Sequence, residues 1–240
     1  MSMEHERRVV CVGAAGVDTI FSVPSSWQDG PASAKLLPTQ CVVLGAGMAS
    51  SAAAAVARLG GRSEIWGRVG SDTTGKQYLE DMCVAGVDAQ HVRVVEGGAR
   101  TTMATILVTP NGERLVVPFY DPEMDPSTAH LPLESLTPAR CSCVLADVRW
   151  PEGAAAALNA ARANGVPTVL DGDTAPYESL EMLVPLADYV VFSEPGLAIY
   201  TGANAGAESA GQQKRLSWVD GALLRVAADL AAGWSTILNH

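Results

Sequence analysis

The sequence predicts an α/β fold: one mostly parallel β-sheet covered by helices on both faces, carrying a small β appendage. Three observations lead there. Strand-like apolar runs alternate with alanine-rich helical stretches, as a parallel sheet buried on both faces requires. One segment breaks that alternation: MATILVTPNGERLVVPFY, residues 103–120, sets two apolar runs around Asn111-Gly112, the strongest hairpin signal in the chain. Apolar residues make up 48% of the chain but aromatic ones only 5%, so the core must be built from Ala, Val and Leu. At 240 residues the chain suits one large domain, residues 1–240.

Val9 to Gly13 reads as the first strand, running into a glycine turn at Gly13 to Gly16 with Asp18 just beyond. Residues 24–34 form a polar loop, and strand-like residues return at Cys41 to Leu44. GAGMASSAAAAVARLGG, residues 45–61, follows as a helix with almost no bulky side chains behind a run of glycines. A short strand around Glu64 to Trp66 leads to the turn GRVGSD. Tyr78, Leu79, Met82 and Cys83 then share one helical face that ends at Gly86. Beyond the hairpin, CVLADVRW is a strand, and PEGAAAALNAARANG is a helix with Pro151 near its start and Gly165 at its close. VPTVLDGD and LADYVVF are further strands, and EPGLAIYTG is a short helix.

In such sheets ligands bind beyond the strand C-termini. Asp18, Arg149, Asp171 and Glu194 all fall near such ends. Gly45 and Gly47 can bring backbone amides close to a ligand, and a helix starting there offers unpaired N–H groups. Equally, those glycines can serve only to shape the turn before a tightly packed internal helix.

Charge and cysteine usage exclude several classes. The net charge of -10 argues against nucleic-acid binding, since the basic clusters Arg7-Arg8 and Lys214-Arg215 are short. Cysteines 11, 41, 83, 141 and 143 read as structural thiols, because Cys141-Ser142-Cys143 lacks metal spacing. MSMEHERR precedes no signal-type apolar segment, and no apolar run approaches membrane-spanning length, so a cytoplasmic protein is expected.

GAGMASSAAAAVARLGG followed by WGRVGSDTTGKQYLEDMCVAGVD resembles the first signature of the ribokinase-like sugar kinases, the PfkB family. LADVRWPEGA, VPTVLDGDTAP and VVFSEPGLAIYTG resemble its sulfofructose kinase branch more closely, with ketohexokinase a more distant relative. The resemblance runs from about residue 9 to 202. It implies a ribokinase-like three-layer α/β core with a small β-sheet lid drawn from residues 18–44 and 88–120, through which a homodimer forms. It implies phosphorylation of a ketose-type sugar with ATP and Mg²⁺, with 6-deoxy-6-sulfofructose the leading example. Asp18, Gly45 and Gly47 would approach the sugar, and Ser51 stands where the family usually carries asparagine. Lys35 and Arg149 fall on positions that hold a sulfonate, although by themselves they read as well as a solvated lysine and an arginine paired with a nearby acid. Pro118 replaces an asparagine that helps hold the anion, and offers no hydrogen bond of its own.

Asp171, Asp173 and Glu194 are implied near the nucleotide phosphates and metal, although SEPG around Glu194 departs from the wider family's NxxE pattern. No particular metal ligand is assigned. No segment like DTTGAGD, whose last aspartate is the family's catalytic base, occurs in the 240 residues. The expectation is therefore no catalytic residue here, a C-terminally incomplete fold and little turnover by this chain alone. The alternative is a non-catalytic sugar-binding or oligomerisation protein derived from a sugar kinase.

Overall fold

Alternate residues of the first strand are buried toward opposite layers. In the computed structural model, which describes residues 7–25 and 35–202, β1 (Arg8–Val12) sends Val10 and Val12 into one apolar cluster and Cys11 into another. Both faces are covered, so the strand carries no polar interruption. β1 pairs in parallel with β4 (Arg62–Gly70) on one side and β8 (Cys141–Asp147) on the other. With β5 (Val92–Val95), β9 (Thr168–Gly172) and β10 (Tyr189–Phe192) they make a six-stranded parallel sheet, ordered β10-β9-β8-β1-β4-β5.

Helices α1 (Met48–Arg58) and α2 (Thr73–Val84) cover the face of Cys11 and Ile65. Helices α3 (Pro151–Ala163) and α4 (Tyr177–Leu183) cover the face of Val10, Val144 and Leu170. Ala154, Ala157, Leu158 and Ala161 form one buried stripe of α3 at helical spacing. Ala49 and Ala53 do the same for α1, and their small side chains let the helix sit close to the sheet. A fifth helix, α5 (Glu194–Thr201), follows β10. Among the described residues, no helix is long and apolar enough to cross a membrane.

A second sheet holds β2 (Gly16–Ser22), β3 (Gln40–Ala46), β6 (Thr102–Val108) and β7 (Arg114–Phe119), in the order β3-β2-β6-β7. The hairpin around Asn111-Gly112 joins β6 to β7, antiparallel as expected. The expectation is corrected only at the start of the segment 88–120. Val92–Val95 pairs in parallel with Gly67–Gly70 and forms the edge of the central sheet. GRVGSD is corrected with it, because its first four residues continue β4 instead of turning. The glycines that suggested a turn answer a packing demand: a Cβ on Gly70 would lie 2.1 Å from the carbonyl oxygen of Ala99. Residues 26–34 of the polar loop, Lys214-Arg215 and everything beyond residue 202 lie outside the described residues.

Candidate functional site

The chain segments leaving β1, β8 and β9 at their C-terminal ends face the second sheet across a cleft of about 700 Å³. β2 carries Asp18 into it. Register places Asp18 beside Ala104 of β6, which lies beside Pro118 of β7, and all three line the cleft. Those neighbours compete little for its carboxylate. Burial raises the Asp18 pKa above the usual carboxylate value.

Two more carboxylates line the cleft, Asp171 at the end of β9 and Asp173 just after it. Burial and the adjacent Asp173 raise the Asp171 pKa, while Arg149 opposes them. Arg149 is the one Lys or Arg among the described lining residues. Its Nη2 donates to Asp173 Oδ2 at 3.1 Å and its Nη1 to the Thr174 carbonyl at 2.5 Å. The guanidinium also lies 5.3 Å from the centroid of the Tyr120 ring. Asp173 Oδ1 accepts the Ser193 hydroxyl at 2.7 Å, and Ser193 Oγ accepts the Gly196 N–H to cap α5.

Gly47 caps α1 with φ +118°, and a Cβ there would sit 2.3 Å from the Ala14 carbonyl oxygen. Only glycine lets the turn after β1 and the start of α1 meet so closely. Beneath them, the fully buried Asp147 carboxylate accepts backbone N–H groups of Ala14 at 2.8 Å, Ala49 at 2.9 Å and Arg149 at 2.8 Å.

Asp18, Gly47, Ser51, Arg149, Asp171 and Asp173 thus share one cleft, while Gly45, Lys35 and Glu194 are not in its wall. Gly45 sits inside β3, where its N–H donates to Asp81 Oδ2 at 2.6 Å and its missing Cβ lets α2 approach. Lys35 is exposed before β3, in keeping with a solvated lysine. Arg149 has the acidic partner its other reading supplied. Glu194 occupies the first turn of α5. The sequence reading passed over Thr102, Tyr120 and Asp147. The signal for Asp147 was present: an acid closing the apolar strand CSCVLAD, two residues before Arg149.

The lining cation is already paired with Asp173, and among the described residues no group of three His, Cys, Asp or Glu side chains is placed to hold a metal.

Residues 6–223 match the model of the pfkB family carbohydrate kinases. Ribokinase of Haemophilus influenzae is 27% identical over 203 residues, which span 84% of this chain and 65% of that protein. A crystal structure from Agrobacterium tumefaciens, described as a candidate ribokinase, is 45% identical with a TM-score of 0.75, over 82% of this chain and 62% of that one. Arabidopsis thaliana ribokinase, solved with ribose and ATP, is 19% identical with a TM-score of 0.65, over 93% of this chain and 69% of that one. The chain therefore spans under two thirds of the first two relatives, and the third shares its fold: a ribokinase-like α/β core with a parallel sheet and a second, small sheet.

Proposed function

Because the chain belongs to the pfkB family of carbohydrate kinases, we propose that its cleft takes a ketose-type sugar for phosphorylation by ATP. The carrying observation is Asp18, a half-buried carboxylate presented to a sugar-sized cleft between small neighbours. A carboxylate accepts hydrogen bonds from two adjacent hydroxyls and orients the ring that bears them. The hydroxyls of Ser51 and Thr102 add donors and acceptors in the same wall. The second sheet acts as the lid of a single kinase domain and keeps water from the bound sugar. Mg²⁺-bound ATP supplies the phosphoryl group in this chemistry, and the described residues contribute the sugar side.

Charge decides between sugars. Among the described lining residues, three carboxylates face one arginine that is already paired, which favours a neutral ketose such as fructose over 6-deoxy-6-sulfofructose. A sulfonate at Arg149 would compete with Asp173, and Pro118 offers it no hydrogen bond. Val43 and Val117, both more than half exposed, lie on the sheet face away from Asp18 and are available to a second copy in a cytoplasmic homodimer.

Saturation-transfer NMR with fructose, ribose, glucose and 6-deoxy-6-sulfofructose tests the reading. Fructose should give the strongest signal, and a chain that contacts no sugar would overturn it. Adding ATP and Mg²⁺ to the same samples and following ³¹P tests transfer by this chain alone. Sugar binding without a phosphoester is the expected outcome, and a sugar phosphoester would overturn the expectation of little turnover and exclude the non-catalytic alternative.

A further inference from the structure

A chain of buried polar groups runs under the cleft floor. Asp147 ends β8 with no exposure, and its three donors come from three separate segments: the turn after β1, the start of α1 and its own turn at Arg149. The backbone of Ala14 is held through both its N–H and its carbonyl, since the carbonyl accepts the Ser50 hydroxyl at 2.7 Å. Ser50 Oγ lies 2.7 Å from the Tyr78 hydroxyl of α2, and both side chains are fully buried. The fit is tight enough that a Cβ on Gly13 would stand 2.2 Å from Asp147 Oδ1.

A buried carboxylate is a poor device for stability alone, because desolvation opposes its hydrogen bonds. Burial indeed raises the pKa of Asp147, against the pull of the three N–H donors. Its placement offers a different use. Each segment it holds contributes to the cleft wall: Ala14 itself, Gly47 and Ser51 beside Ala49, and Arg149. These N–H groups lie where the strands have ended and no sheet partner remains. We propose that Asp147 is a positioning residue that ties the turn after β1, the start of α1 and the Arg149 turn into one rigid floor for the bound sugar. Its consequence for ligands rests on the sugar-binding reading above; its mechanical claim does not.

Asp147→Asn keeps the size of the side chain but exchanges one acceptor oxygen for an N–H₂ donor, so it cannot hold all three amides. Fructose affinity by calorimetry should fall about tenfold or more, since small misplacements of a binding group are costly. Amide exchange at Ala14, Ala49 and Arg149, read by NMR, should accelerate together. Ser50→Ala frees only the Ala14 carbonyl and should give a smaller loss of affinity. Thr168→Val removes a buried hydroxyl bonded to Asp188 at the opposite end of β9, and should leave affinity unchanged. That contrast separates positioning from a general loss of stability. If the Asp147 variant does not fold, slow exchange of the three amides in the unmodified protein and weaker binding in Ser50→Ala support the proposal. Fast exchange at any of the three overturns it, as does an Asp147→Asn protein that keeps both affinity and protection. An unmodified protein that binds no sugar would defeat the sugar reading and leave amide exchange to judge the anchor.

Discussion

Replacing Gly47 by alanine presses directly on the join between the first turn and α1. Gly47 has φ +118° and ψ 150°, a region essentially reserved for glycine, where another residue carries strain of about 1–3 kcal/mol. The new Cβ would stand 2.3 Å from the oxygen, 2.7 Å from the carbon and 2.9 Å from the Cβ of Ala14. Ala14 has no easy retreat, because Asp147 holds its N–H and Ser50 its carbonyl. Overpacking against a fixed neighbour adds about 1–3 kcal/mol, for roughly 2–6 kcal/mol in all. Gly165→Ala supplies the reference. It also has positive φ, +72°, but nothing lies within 4 Å of the place its new methyl would take, so only the left-handed penalty of about 1–2 kcal/mol applies. Urea denaturation followed by tryptophan fluorescence measures both. The account expects Gly47→Ala to lose at least about 1 kcal/mol more than Gly165→Ala. Equal losses would mean that Ala14 moves aside freely, and would refute the rigid floor.

Arg8→Ala removes one partner of Glu64, which is 1% exposed and keeps the Trp66 indole N–H at 2.7 Å and His91 Nε2 at 3.3 Å, and should cost about 1–3 kcal/mol by denaturation; no measurable loss would contradict the pairing. Burial, with Cys143, Asp147 and Cys141 nearby, pushes the Cys11 thiol up to about 12, whereas Cys41 and Cys83 are exposed. Iodoacetamide at about pH 8 should therefore label Cys41 and Cys83 in the native protein and reach Cys11 only after unfolding, as peptide mass spectrometry would read. Burial raises the Asp72 pKa, but hydrogen bonds from the Thr101 hydroxyl and the Thr101 and Gly75 N–H groups, with Arg100 nearby, bring it below the usual value. That stabilisation is present above the unfolded pKa of about 3.9 and fades as pH falls through the lower folded value, so Asp72→Asn should lose less on acidification than the unmodified protein; equal acid slopes would contradict it.

The layers of the fold were legible because alternation and alanine spacing are local: the α3 stripe and the Asn111-Gly112 hairpin could be read directly. Edge strand β5 was not, because VRVV is only four residues long and its partner segment is glycine-rich. Those glycines make room for the chain at Ala99, a demand set by distant residues. In the cleft, Asp18, Arg149, Asp171 and Asp173 were found because polar residues just past apolar strands announce themselves. Gly45 and Gly47 looked alike in sequence, yet one spaces a strand from α2 and the other caps α1. Asp147 closes an apolar strand in the same way, but its role went unread because two of its three partners are backbone amides far along the chain.

The central claim, that Asp18 makes this cleft a sugar site, is tested most directly by calorimetric titration of fructose into the unmodified protein and Asp18→Ala. Asp18 is half-buried and, among the described residues, its carboxylate makes no hydrogen bond or ion pair to another element, so the variant should fold normally. Losing hydrogen bonds to a charged acceptor, worth about 1.5–3 kcal/mol, should weaken fructose binding by about tenfold to a hundredfold. Equal affinity in the two proteins, or no fructose binding by either, would contradict the account.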